Sequence, residues 1–222
     1  MQTPPSELAA RLIRANAARV TVASASAMQK IELRLSDDPA LARRVIRLLP
    51  AALARDITDD VLGHRELARL TGPRPLSAFR PGPAAAAAKL RAWYAEGQRR
   101  SGVSWQLLAA VNFVESDFGR LRETSVAGAQ GPMQFMPSTW TSYGRGDVHD
   151  PQAAILGAAR FLRAAGAPEH ERSALYRYNP SWAYVDAVER YAGRIRRSVR
   201  AFAQYYARPL VVRTPEGYRR LP

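Results

Sequence analysis

The chain has 222 residues, with 33 Lys+Arg against 19 Asp+Glu for a formal net charge of +14, and no cysteine. That length accommodates one large or two small domains with a sizeable core, while the missing cysteines exclude a disulfide framework and a thiolate metal site. No run of about 18 apolar residues occurs, which excludes a helix spanning a bilayer.

Most of the chain reads as helix. SELAARLIRANAARV (6–20) repeats apolar residues at three- and four-residue steps behind the start signals Ser6 and Glu7. A second helix is expected from about 38 to 54, opened by Asp38-Pro39 and interrupted by Pro50, and a third over 58–70. Residues 71–83, TGPRPLSAFRPGP, hold four prolines and two glycines and read as a linker or a draped connection. AAAAAKLRAWYAEGQRRSG (84–102) is a helix closed by Gly102.

The next stretch, VNFVESDFG (111–119), sets a carboxylate at the end of an amphipathic helix. At 100° per residue, Leu108 lies about 20° and Val111 about 40° from Glu115, whereas Asp117 lies about 160° away. Glu115 should therefore edge the buried stripe, and Asp117 should point to water. A carboxyl among apolar neighbours loses hydration of its charged form, so its pKa rises, as a general acid working near neutral pH requires. The plainer reading is a helix-terminal glutamate paired with Arg120 or Arg122.

SVAGAQGPMQFMPSTW (125–140) follows. Gly128, Gly131 and Gly131-Pro132 force turns, yet Met133, Phe135 and Met136 make this a packed loop. A buried Gln134 must satisfy both ends of its amide, internally or with a ligand. Pro137 opens a helix. Asp150-Pro151 opens another that ends at Gly166. ALYRYNPSWAYVDAVERYA (174–192) reads as two helices joined at Asn179-Pro180, with Ser181 as N-cap. Such a crowd of tyrosines with Trp182 is more often core than cleft, although sugar rings, with apolar C–H faces as well as hydroxyls, also suit it. PLVVRTPEGYRRL (209–221) allows a small hairpin about a Pro-Glu-Gly turn. His64, His149 and His170 lack ligand spacing, so neither metal nor cofactor is expected.

Charge is unevenly placed. Residues 1–89 hold 14 Lys+Arg against 8 Asp+Glu, residues 90–189 hold 10 against 10, and residues 190–222 hold 9 against 1. Basic flanks around a neutral centre imply a polyanion partner, such as an anionic wall polymer or membrane surface. Nucleic acid is disfavoured, because no zinc-finger or helix-turn-helix signature accompanies the charge. The tail, with Arg194, Arg196, Arg197 and Arg200, is expected to anchor the protein on such a surface. The alternative is that it folds back across the neutral central region and pairs its arginines with Glu169, Glu171 or Glu189.

The ordered set Glu115-Ser116, Ser125-x-x-Gly128-Ala129-x-Gly131-x-Met133-Gln134-x-Met136-Pro137, Tyr178-Asn179 and Tyr184-Val185 resembles the catalytic domain of lytic transglycosylases, murein-cleaving relatives of goose-type lysozyme. The resemblance covers roughly residues 90–197. Pro132 stands where many members have leucine, and Gly-Pro-Met-Gln-Phe-Met-Pro-Ser-Thr-Trp resembles the actinobacterial branch.

The resemblance implies an all-α, lysozyme-like catalytic domain over 84–197, after an N-terminal helical region and linker (1–83) and before a basic extension (198–222). It implies cleavage of the β-1,4 bond between N-acetylmuramic acid and N-acetylglucosamine in peptidoglycan, with Glu115 as the single acid/base and a 1,6-anhydromuramoyl end as product. Ser125, Gln134, Tyr178 and Asn179 would line the cleft, Gln134 binding the sugar and Tyr178 holding Glu115 or the substrate's acetamido group. Asp147 and Asp150 are more naturally caps of a turn and a helix. Plain hydrolysis of the same bond and a non-catalytic wall-binding module are the alternatives. Such a substrate implies an extracytoplasmic location, although MQTPPSELAARL shows no basic and apolar signal-peptide regions.

Overall fold

The computed structural model describes residues 3–222; Met1 and Gln2, the first residues of the expected 1–83 region, lie outside it. The fold is mostly helical, with one small C-terminal hairpin. Four helices come first: α1 (Pro5–Ala17), α2 (Val22–Asp37), α3 (Pro39–Ile46) and α4 (Ala51–Leu70). They enclose a core containing Leu8, Leu12, Met28, Leu35, Val45 and Ile57. Helix α2 was absent from the elements expected from the sequence. Its start is a capping box in which Thr21 accepts from the Ser24 amide and Ser24 answers the Thr21 amide. Pro50 does more than interrupt the expected 38–54 helix. The first helix stops at Ile46, and after a short turn Pro50 stands at the N-cap of the next, so the helix expected over 58–70 already begins at Ala51.

Residues 71–83 are a draped connection. Arg122 N–H donates to the Arg80 carbonyl at 3.0 Å and Gly82 N–H to the Arg120 carbonyl at 2.8 Å, tying the segment to the loop that follows Asp117. Then come α5 (Ala87–Ser101), α6 (Trp105–Ser116), α7 (Pro137–Tyr143), α8 (Pro151–Ala164), α9 (Glu171–Tyr178), α10 (Trp182–Arg197) and α11 (Val199–Ala207). Gly102 closes α5 in the left-handed conformation, and Ser181 Oγ accepts from the Tyr184 amide to cap α10. Strands β1 (Val211–Thr214) and β2 (Gly217–Arg220) pair antiparallel, Val211 opposite Arg220 and Thr214 opposite Gly217.

Helix α6 is the hub of the second core. Leu107, Leu108, Ala109, Ala110 and Val111 are all fully buried, so over this stretch the helix read as amphipathic is enclosed on every side. Helices α5, α8 and α10 surround it, and α11 adds Phe202 and Tyr205 to the same core. Helix α4 lies along α10, where a Cβ at Gly63 would sit 2.9 Å from Tyr191 Cζ, so only glycine permits that approach.

The tail is not a free basic arm. Arg194, 1% exposed, pairs with the buried Asp60, and its second amino group donates to Gln204 Oε1 at 2.8 Å. Tyr205 donates to Asp60 at 2.5 Å, and Arg208 pairs with Asp60 at 2.9 Å and Glu32 at 2.6 Å. Arg197 pairs with Asp56 at 2.9 Å and Asp59 at 2.6 Å, and Arg200 donates to the carbonyls of Asn16 and Ala18. Arg196 meets Glu171 at 2.7 Å, as expected of a tail folded back on the protein, but Glu169 and Glu189 go instead to Arg163 and Arg172. Rather than standing free for the anchoring expected of them, these guanidiniums are engaged within the protein: Arg194 and Arg197 by acids of α4, Arg196 by Glu171 of α9, and Arg200 by backbone carbonyls.

Removing one partner of a buried ion pair strands the other charge, at a cost of about 3–5 kcal/mol. Arg194→Ala should lower the unfolding free energy by that amount in urea titrations followed by circular dichroism, and a truncation after Arg197 should collapse the melting temperature. A truncated protein that melts normally would show the network to be dispensable.

Candidate active site

The last turn of α6 is fastened to the glycine-rich loop through one carbonyl. Asn112 is buried; its Oδ1 accepts from Tyr94 at 2.6 Å, and its Nδ2 donates to the Pro132 carbonyl at 2.8 Å. Ser116 Oγ donates to the same carbonyl at 2.6 Å and accepts from the Gly119 amide at 2.9 Å. The loop beyond is closed by a reciprocal pair between Gln130 and Phe135, at 2.9 and 2.8 Å. At Gly131, φ is +74°, and a Cβ would fall 2.1 Å from the Val148 carbonyl oxygen, so glycine is obligatory there.

Glu115 projects from this fastened turn. Its Oε1 accepts from the Tyr184 hydroxyl at 2.7 Å. Burial pushes its pKa up to about 7, against the bond from Tyr184, which favours the ionised form. Tyr178 donates to the Met133 carbonyl at 2.6 Å, and its ring lies parallel to that of Tyr184, with centroids 6.5 Å apart. Burial, and then the nearby Glu115 charge, hold both phenols well above their ordinary pKa, so both remain donors. The hydroxyl that meets Glu115 is that of Tyr184, while that of Tyr178 goes to Met133. Tyr184 was visible in the Tyr184-Val185 motif, but no role follows from its spacing alone.

The other expected residues fall around this centre. Gln134 has φ +49°, a left-handed conformation unusual for a non-glycine residue, and its amide donates to the Gly131 carbonyl at 3.0 Å. Ser125 Oγ accepts from the Ala129 amide at 2.9 Å and braces the loop turn. Asn179 C-caps α9, and its carbonyl accepts from the Ser181 amide at 2.7 Å. Neither Ser125 nor Asn179 is hydrogen-bonded to Glu115.

Asp117 departs from expectation. The helix ends at Ser116, and Asp117 leaves it at φ +49°, so helical angular steps no longer apply. Instead of facing water, its carboxylate pairs with Arg120 at 3.2 Å and lines a cavity of about 160 Å³ with Glu32, His64 and Arg208. Burial outweighs Arg120 and raises its pKa to about 6. The remaining acids are engaged elsewhere. Glu123 meets Arg74 at 3.6 Å, while Asp147 caps a turn at the His149 amide and Asp150 caps α8, as expected.

Residues 93–196, which include Glu115, the glycine-rich loop, Tyr178 and Tyr184, match the family described as the transglycosylase SLT domain. Similar proteins are the membrane-bound lytic murein transglycosylases F of Thiobacillus denitrificans, 32% identical over 46% of this chain and 23% of that protein, and of Salmonella typhi, 36% identical over 37% and 19%. A further relative, membrane-bound lytic murein transglycosylase F 1 of Alkalilimnicola ehrlichii, is 32% identical over 33% of this chain and 15% of its own length. The chain thus spans less than a quarter of the length of these relatives. They are proteobacterial and lend no support to the actinobacterial branch suggested by Gly131-Pro132. No solved structure matches.

Two outcomes follow from the site's electrostatics. Tyr184→Phe removes the bond that favours ionised Glu115, so the Glu115 pKa should climb above 7; carbon-detected NMR titration of the labelled carboxyl reads this, and an unmoved or lower value would contradict the pairing. Because the folded pKa exceeds the ordinary value, ionisation of Glu115 opposes folding. That cost is absent below the ordinary glutamate range and fully present above about 7. Glu115→Gln should therefore raise the melting temperature at about pH 8 and leave it nearly unchanged at about pH 4.

Proposed function

We propose that this chain cleaves peptidoglycan glycan strands at the bond between N-acetylmuramic acid and N-acetylglucosamine as a lytic transglycosylase, with Glu115 as its single acid/base. The observation that carries the reading is Glu115 itself: a carboxyl raised to about 7, oriented by Tyr184 and held at the edge of a packed loop. Near neutral pH such a group is available both as acid and as base. The match of residues 93–196 to the transglycosylase SLT domain supports the enzyme class, and the relatives' names supply the murein substrate.

Protonated Glu115 donates to the oxygen of the scissile bond as the C1–O bond breaks. Glycosidases ordinarily stabilise the resulting oxocarbenium character with a second carboxylate. Asp117 is engaged by Arg120 and lines a cavity to which Glu115 does not contribute, so the substrate's acetamido oxygen takes that role. The Glu115 carboxylate then removes the proton from the C6 hydroxyl, whose oxygen closes onto C1. Glu115 is reprotonated, no water is consumed, and a 1,6-anhydro end results. In this reading Gln134 and Asn179 present amides to the sugar, Tyr178 lies beside the acetamido group, and Ser125 shapes the loop. Residues 84–197 carry the chemistry, and 1–83 and 198–222 brace it. The substrate places the working enzyme outside the cytoplasmic membrane.

Digestion of purified peptidoglycan followed by mass spectrometry of the muropeptides tests the reading. Anhydro ends are expected; reducing ends alone would make the enzyme a hydrolase, and no release would remove the activity. Glu115→Gln should lower release by roughly 10³-fold or more. Asp117→Asn should keep most of the turnover, because in this reading Asp117 touches no reacting group.

A further inference from the structure

With Arg194, Arg196, Arg197, Arg200 and Arg208 engaged internally, a cluster of unpaired arginines remains at one corner of the N-terminal helices, outside the segment matched to the family. Arg43, Arg44 and Arg47 are exposed on α3, and none meets an acid within salt-bridge distance. Between α3 and α4 runs an open groove of about 280 Å³. Its floor is apolar, formed by Ala42, Ile46 and Leu62, and its rim carries Arg43, Arg47 and Arg65. No carboxylate lines it. Arg65 is fixed in place by its bonds to the carbonyls of Leu35 at 2.6 Å and Ser36 at 2.7 Å, which end α2.

The acids of α4 are turned elsewhere, Asp56, Asp59 and Asp60 being held by Arg190, Arg194 and Arg197 of α10. The same exchange thus keeps these three acids away from the α3 arginines. At the turn joining α3 to α4 stands Leu48, 52% exposed, beside exposed Pro50, Ala51 and Ala52. A cluster of guanidiniums next to an exposed leucine and an apolar groove has the chemistry of a peripheral membrane contact: cations at the phosphate level and a short apolar element below it.

We infer that the α3–α4 corner docks this protein on the surface of an anionic phospholipid bilayer, with Arg43, Arg44 and Arg47 on the phosphates and Leu48 entering the acyl boundary. The groove seats the upper part of one lipid beneath Arg43 and Arg47. A soluble polyanion would satisfy the arginines but gives no partner to Leu48 or to the groove floor.

Co-sedimentation of the full chain with phosphatidylcholine vesicles, with and without phosphatidylglycerol, tests this. Binding should require phosphatidylglycerol and weaken as salt rises. The triple variant Arg43→Ser, Arg44→Ser, Arg47→Ser should partition roughly 100-fold less, and Leu48→Ser should weaken binding several-fold at unchanged net charge. Arg213→Ser, Arg219→Ser, Arg220→Ser removes the same charge from the exposed hairpin and should leave binding within a few-fold. Each variant should keep its melting temperature and its release of muropeptides from a soluble glycan, since these residues lie outside the site. An equal loss in the hairpin variant would reduce the effect to net charge and overturn the site. Equal binding to neutral vesicles, an unaffected Leu48→Ser, or capture only by a soluble polyanion or another protein would do the same. The vesicles carry no peptidoglycan, so failure here leaves the proposed activity untouched.

Discussion

The Pro132 carbonyl oxygen holds the site together. It accepts from both Asn112 and Ser116, the inward-facing polar groups of the last two turns of α6. Two bonds from a buried helix to one point of a loop fix the loop's height and rotation at once, and buried polar groups that lose such partners are costly. From that point, Met133 presents its carbonyl to Tyr178, and one turn along α6 Glu115 meets Tyr184. Tyr178 ends α9 and Tyr184 lies in the first turn of α10, so the kink at Asn179-Pro180 is what lets two rings six residues apart stack in parallel. The site is therefore a junction of α6, the loop and the α9–α10 kink, and none of these alone orients the carboxyl.

A second junction lies behind it. Asp60 is met by Arg194, Arg208 and Tyr205, which come from α10, the chain after α11, and α11 itself. One acid among two guanidiniums and a phenol satisfies a buried charge more completely than a single pair would. The arrangement binds the N-terminal helices to the C-terminal ones and closes the side of α6 opposite the loop. Arg208 also reaches Glu32 of α2 and lines the cavity that holds the Asp117 carboxylate, so the two junctions share a wall.

Much of the helical plan was legible in the sequence, because its signals are local. Ser181 and Asp150-Pro151 announce helix starts, Gly102 a helix end, and the Pro-Glu-Gly turn the hairpin. Helix α2 escaped notice although Ala25, Met28, Ile31 and Leu35 recur at three- and four-residue steps, because its serine-rich first turn reads as a loop until Ser24 is seen as half of a capping box. Glu115 was legible for the same local reason, lying on the apolar edge of its own helix. What failed was whatever required distant partners. Arg194 meets an acid 134 residues away, and a charge count cannot distinguish a buried pair from an exposed patch. Asp117 failed more simply: a left-handed residue ends the helix just before it could be projected around the axis.

The adjacency of Glu115 and Asp117 shows how one turn can serve opposite needs. Both carboxyls are buried and both have raised pKa values, to about 7 and about 6. Arg120 opposes the burial of Asp117 and helps to close the turn, whereas Glu115 has only a neutral phenol. A cation at Glu115 would lower its pKa and remove the acid from service at neutral pH; a neutral donor orients it while leaving burial dominant. The left-handed step at Asp117 is what keeps Arg120 on one carboxylate and away from the other. Had the helix run on, Asp117 would have faced outward and the turn would have lost its internal ion pair. The end of α6 therefore settles two matters at once: the direction of the chain into the loop, and which of two neighbouring acids remains protonated close to neutral pH.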